Sequence, residues 1–234
     1  MIITYDGANY SGYQKQPKNN TIQAELERAI EIITKEKANC VASGRTDAKV
    51  SAYEQVVHFD IEKELNLEKF LRSINGILPA DIRALSIEET NLHARFSAKK
   101  KTYIYKMYPA DIELPLCKDA LRISCDLDLK SMKNFCKLVR GTHNFIGFRA
   151  SGGENDSTIR TIFDAKLIFR HGYLYFVITG NGFLYKMVRN LVGTMLAIGQ
   201  GKLNLRELKP TLFNGYKSKY TAKPNYLYLS HVEY

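Results

Sequence analysis

Cysteine and histidine are scarce in this 234-residue chain, which has four of the first (Cys40, Cys117, Cys125, Cys136) and five of the second (His58, His93, His143, His171, His231). No two cysteines form a C-x-x-C pair, and the histidines fall in no H-x-x-x-H or mixed cluster. The spacings that hold structural zinc are therefore missing, no disulfide framework is expected, and no metal site is assigned. Long apolar runs are missing too. No window approaches the roughly 18 consecutive apolar residues that a membrane-spanning helix needs. The opening MIITYDGANY lacks the basic stretch and apolar core of a secretory signal. A cytoplasmic protein with no membrane partner is expected. A phosphate cradle is absent as well, because G-N-G at 180–182 lacks both the Lys-Ser/Thr of a P-loop and the dinucleotide spacing.

What is present is an ordinary globular composition, 45% hydrophobic and 25% charged, with a strong positive bias. Lys and Arg number 34 against 24 Asp and Glu, a net charge of +10, and the isoelectric point is near 9.3. Such an excess is the electrostatic footprint of a protein with a polyanionic partner, RNA or DNA.

Hydrophobic periodicity reads as strands and helices interleaved twice. In the first round, residues 1–6 read as a strand, and 21–36 as a helix with Ile22, Leu26, Ala29, Ile30 and Ile33 on one face and Thr21 as N-cap. Residues 52–61 alternate as a strand, and a helix carrying Leu67, Phe70, Leu71 and Ile74 ends near Gly76 and Pro79. Strand-like segments follow at 82–89 and 93–97. The second round starts at residue 102 with TYIYKMY. It continues with a helix near 128–140 capped by Gly141, a hairpin turning at His171 and Gly172, a long helix at 182–199 and a final strand at 226–233. The stretch ASGGENDS (150–157) reads as a surface loop. The expected division is 1–101 and 102–234.

Three segments carry groups suited to chemistry. In SGRTDAKVSA (43–52), Asp47 is flanked by Arg45 and Lys49. The plain reading is an Asx-type turn with solvated charges. A carboxylate kept ionised by a cation while partly desolvated is, however, what a carboxylate nucleophile or base requires. In GNGFLYKMVRN (180–190), helical spacing would set Tyr185 and Arg189 one turn apart at the edge of a buried face. In HARFSAKKKTYIYKMY (93–108), Arg95, Lys99, Lys100 and Lys101 run into Tyr103 and Tyr105, cations for phosphates beside aromatics that stack on a base or pack in a core.

Taken together these blocks resemble the TruA family of tRNA pseudouridine synthases. The match runs through YDGANYSGYQKQ (5–16), TIQAELERAI (21–30), SGRTDAKVSAYEQVVHFD (43–60), LPADI (78–82), HARFSAKKKTYIY (93–105), GTHNFIGFR (141–149), STIRTI (157–162), NGFLYKMVRNLVGTMLAIGQGK (181–202) and LYLSHVEY (227–234). The resemblance implies an α+β fold. Its two tandem halves, RRM or ferredoxin-like, would share a continuous mixed, mainly antiparallel sheet with helices packed on one side. It implies a homodimer that isomerises uridine to pseudouridine at positions 38 to 40 of the tRNA anticodon arm without a cofactor. By position, Asp47 is then the catalytic aspartate, Tyr103 the active-site tyrosine, and Arg189 the arginine that pairs with the aspartate. Arg45 and Thr46 lie in the same loop and are expected substrate contacts, with Arg45 extruding the target base or binding its backbone. Lys49, Arg95, Lys99, Lys101 and Tyr185 complete the expected RNA contacts. The family's loop usually reads G-R-T-D-x-G-V-H-A, whereas Lys49 and Ser51 replace its glycine and histidine here, and Tyr226 replaces the glycine before L-Y-L. Those departures leave two further readings in view, a paralogue that modifies another RNA such as ribosomal RNA, and an inactive RNA-binding module.

Overall fold

A computed structural model describes residues 1–152 and 157–234; part of the expected 150–157 loop lies outside the described residues. The chain forms two compact units, Met1–Lys99 with Tyr228–Tyr234, and Lys100–Leu227. Both mix helices with mainly antiparallel strands, the α+β class expected.

In the first unit β1 (Ile2–Tyr5) pairs antiparallel with β3 (Ser51–His58) and with β4 (Ile82–Ser86). β2 (Val41–Ala42) pairs antiparallel with β3, and β10 (Leu227–Glu233) runs parallel to it. Helix α1 (Ile22–Thr34) starts where the Thr21 hydroxyl accepts the Ala24 N–H, and buries Ile22, Leu26, Ala29 and Ile30 along one stripe. Helix α2 (Leu67–Ile77) is capped by Asn66 and buries Phe70 and Ile74. Strict alternation fails in β3. Ile3 faces Gln55 but Tyr5 faces Ala52, so β3 carries one extra residue, a bulge that turns Tyr53 out while Ala52, Gln55 and Val57 are buried.

The second unit orders its strands β5 (Lys100–Pro109), β9 (Tyr173–Gly180), β8 (Ile159–Arg170), β7 (Gly141–Asn144), each antiparallel to its neighbour, with β6 (Leu121–Ile123) parallel to β5. The β8–β9 turn has His171 at φ 50° and Gly172 at φ 79°, the doubly left-handed geometry whose twist matches a hairpin. Helix α3 (Leu129–Leu138) ends at Val139 rather than Gly141, which at φ 104° opens β7 instead. A short helix, α5 (Leu205–Leu208), follows α4 (Met187–Gly199). Arg189 alone in α4 escapes full burial, because the chain after α5 folds back along the helix. Thr194 bonds Ser218 and Tyr216, Asn190 takes Thr221, and Gly193 lies under the carbonyl of Tyr220.

Two expected elements differ. The helix expected from 182 starts at Met187, since Lys186 is left-handed at φ 56° and the Tyr185 carbonyl accepts the Ala150 N–H instead of continuing the ladder. Tyr185 and Arg189 therefore do not share a helical face. Residues 93–97 form a closed turn rather than a strand, with the Ser97 N–H on the His93 carbonyl, the Ala94 N–H on His58 Nδ1, and the Arg95 and Phe96 N–H groups on His93 Nδ1.

Two outcomes are expected. A β-carbon at residue 193 would stand 2.6 Å from the Tyr220 carbonyl oxygen. Gly193→Ala should therefore lose about 1–3 kcal/mol through overpacking, outweighing the roughly 1 kcal/mol that alanine adds in a helix, as read by urea unfolding. Burial, together with the neighbouring His93 and the amino terminus and against Asp60, pulls His58 below its ordinary 6.5. Above 6.5 His58 is neutral folded and unfolded; as pH falls through it, the unfolded chain takes the proton first and stability is lost. Urea midpoints should drop between about pH 7.5 and 5.5 in the wild type and drop less in His58→Gln.

Candidate active site

The loop between β2 and β3 lies against the segment that follows β1, and little but backbone separates them. The Tyr13 N–H donates to the Thr46 carbonyl (3.1 Å) and the Lys49 N–H to the Tyr10 carbonyl (3.1 Å). A β-carbon on Gly7 would stand 2.1 Å from the Val50 carbonyl oxygen, and one on Gly12, at φ 98°, would be 2.8 Å from that of Thr46. Only glycine permits that approach. Beneath the loop, the buried Gln55 amide donates to the Gly44 carbonyl (2.9 Å) and accepts the Ser43 hydroxyl (2.6 Å), while Tyr5 and Thr46 share a hydrogen bond of 2.8 Å. Burial pushes the Tyr5 phenol up to about 12, so it stays a neutral hydrogen-bonding group. Of the expected loop residues, Arg45 and Lys49 are exposed, Asp47 is partly buried, and Thr46 is buried. The Thr46 side chain is tied to the Tyr5 hydroxyl beneath the loop.

The two departures within this loop are unlike each other. Lys49 occupies φ 66°, the left-handed region in which glycine rests without strain, so the chain keeps the turn and carries the cost in a lysine. Ser51 is turned inward, accepting the Gly7 N–H (3.0 Å) and donating to Asp6 Oδ1 (3.3 Å). Of the two, Lys49 alone reaches solvent.

In the second unit Tyr103 and Tyr105 share the buried face of β5. The Tyr103 ring meets Phe183 edge-on with centroids 5.2 Å apart, and the Tyr105 hydroxyl donates to the Lys223 carbonyl (3.0 Å). Burial and Tyr226 hold the Tyr105 phenol above its ordinary value, opposed by the positive charge of Arg189. Arg189 is clasped to the chain at 222, its Nε donating to the Ala222 carbonyl (2.9 Å) and its own carbonyl accepting the Ala222 N–H (3.0 Å). Tyr185 is exposed, with the Lys186 ammonium 4.9 Å over its ring. Lys101 lies on β5 opposite Gly180, partly exposed, and Arg95 and Lys99 are exposed in the first unit. Sequence reasoning missed Phe183 and the Tyr5–Gln55 support; a glutamine on the apolar side of β3 was the signal for the latter. Among the described residues no group of three or more His, Cys, Asp or Glu is arranged to hold a metal, and no helix is long and apolar enough to cross a membrane.

A family model described as tRNA pseudouridine synthase matches residues 1–97 and 135–234. The chain is similar to proteins named tRNA pseudouridine synthase A along its whole length. It is 40% identical to that of Geobacillus sp. (strain WCH70), covering 99% of this chain and 96% of the relative. It is 39% identical to that of Anoxybacillus flavithermus, with the same coverage, and 38% to that of Streptococcus mutans serotype c, covering 100% and 97%. A chain of the crystal structure of a Cbf5-Nop10-Gar1 complex shows 14% identity and a TM-score of 0.37, over 98% of this chain and 57% of its own.

The strain at residue 49 gives a direct expectation. Lys49→Gly should raise stability by about 1 kcal/mol, as a left-handed non-glycine residue costs about that much, and urea unfolding reads it as a higher midpoint.

Proposed function

The chain belongs to the tRNA pseudouridine synthase family, and from that premise we propose that it isomerises uridine to pseudouridine in the anticodon arm of tRNA, at positions 38 to 40. What carries this reading is the full-length similarity to proteins named tRNA pseudouridine synthase A, which spans the loop bearing Asp47. Asp47 is the catalytic carboxylate. The bond from the ribose C1′ to uracil N1 breaks and one from C1′ to C5 forms, with the C5 proton lost and N1 protonated. Atoms and oxidation state balance within the substrate, so neither redox partner nor group donor enters the equation.

The placement of several of these residues supports the roles proposed for them. Asp47 is shielded enough to act as more than a solvated surface charge, and its loop is held by backbone contacts, which favours a preorganised group. Arg45, exposed two residues away, contributes to drawing the target base from its stack, a step that costs a few kcal/mol in RNA. Lys49, Arg95, Lys99 and Lys101 meet phosphates, and Tyr185 offers an exposed ring to a base. Tyr103 and Arg189 take part in the same reaction, Tyr103 as an aromatic surface for uracil and Arg189 as a fixed cation. A homodimer and a cytoplasmic location belong to the same reading; sedimentation showing a species of twice 26.7 kDa would support the dimer.

Carbodiimide mapping tests the activity, because pseudouridine has the mass of uridine and must be read chemically. Unmodified tRNA incubated with the wild type should acquire stops in the anticodon arm. Asp47→Ala should lower that rate on the order of 10³-fold or more while leaving RNA affinity within a few-fold. Conversion retained by Asp47→Ala would overturn the role of the carboxylate. Loss of signal only in ribosomal RNA, in cells lacking the gene, would overturn the tRNA target.

A further inference from the structure

The turn at 93–97 lies outside the catalytic loop and carries Phe96, which at 77% exposure is the most exposed phenylalanine or tyrosine among the described residues. The backbone that carries it is tied down by hydrogen bonds. All five N–H groups from His93 to Ser97 are satisfied: that of His93 by the Ser97 hydroxyl (3.1 Å), that of Ala94 by His58 Nδ1 (3.1 Å), those of Arg95 and Phe96 by His93 Nδ1 (3.1 and 3.2 Å), and that of Ser97 by the His93 carbonyl (2.9 Å). The Tyr234 hydroxyl donates to the Ala94 carbonyl (2.7 Å), and the Lys99 N–H donates to the Glu233 carbonyl (2.7 Å). Because each Nδ1 accepts a backbone N–H, both imidazoles carry their proton on Nε2 when neutral.

These side chains pack ring against ring, with His58 tilted 58° to His93 and His93 stacked on Phe96. The ring centroids of His58 and His93 are 4.4 Å apart, and His93 lies against Phe96 at 4.3 Å with 30° between their planes. The Arg95 guanidinium carbon stands 5.7 Å over the Phe96 centroid. A rigid, exposed aromatic ring backed by another ring and flanked by cations suits the π-face of a nucleobase, with phosphates on either side. Charge narrows the partner further. Residues 93–99 contain Arg95 and Lys99, both exposed, and no Asp or Glu, which favours a polyanion over an apolar protein surface.

We propose that Phe96, supported by His93, is a stacking platform for an unpaired base of the RNA substrate, with Arg95 and Lys99 contacting the adjacent phosphates. This rests on the reading of RNA as substrate and names a subsite for it. The turn presents the ring with its conformational entropy already lost, so binding a base there orders little else.

The chain contains no tryptophan, so Phe96→Trp installs one fluorophore at the platform. Saturating tRNA should quench its emission. Phe96→Ala and Phe96→Leu should both weaken tRNA binding about 5- to 150-fold, the loss expected for one stacked base, while Phe96→Trp binds at least as well as the wild type. Leucine keeps apolar bulk without a π-face, so wild-type affinity in Phe96→Leu would overturn the proposal. Unchanged tryptophan emission at saturation would overturn it too, as would a Phe96→Ala variant whose sole defect is a changed sedimentation mass, which marks a contact between copies. Mapping of pseudouridine in the same samples separates the two readings. Conversion without quenching overturns the platform alone, and quenching without conversion overturns the isomerase assignment alone.

Discussion

Around the candidate site, two backbone segments approach so closely that no β-carbon fits between them. Gly7 lies under the Val50 carbonyl and Gly12 under that of Thr46, and the hydrogen bonds from Tyr13 and Lys49 cross the same seam. The placement of Asp47 depends on this contact, since the loop has no regular structure of its own between Ala42 and Ser51. Side chains beneath it, Tyr5, Gln55 and Ser43, form a closed polar layer in which each buried group is paired. Such a layer tolerates little, because removing one partner leaves another desolvated.

The charge distribution explains why an acidic group at this site is compatible with a polyanionic substrate. A net charge of +10 attracts RNA over distances of about a Debye length and makes affinity fall steeply with salt. Within that field Asp47 is flanked along the chain by the exposed cations Arg45 and Lys49, so an approaching phosphate meets positive charge first.

Lys49 and Ser51 depart from the family's usual residues in opposite directions, one toward solvent and one toward the interior. The left-handed turn falls at Lys49 at some cost in strain, and it places a cation at the surface. Ser51 fills the interior by bonding Gly7 and Asp6, so its effect is on the fit of the loop. Of these two residues, Lys49 is the one that an approaching RNA could touch directly.

Local patterns settled the elements whose signals are local. Thr21 capped α1, the stripe Ile22, Leu26, Ala29, Ile30 was buried, and the hairpin turned at His171 and Gly172, because capping, amphipathic spacing and left-handed turns act within a few residues. The motif order likewise identified the family. Tertiary structure decided what depends on distant partners. The 182–199 helix lost its first turn because the Tyr185 carbonyl is taken by Ala150. The strand expected at 93–97 became a turn because two histidines, one of them 36 residues before Ala94, accept its N–H groups. That Thr46 and Ser51 face inward while Arg45 and Lys49 face water could not be read from spacing either; it follows from which backbone the loop packs against.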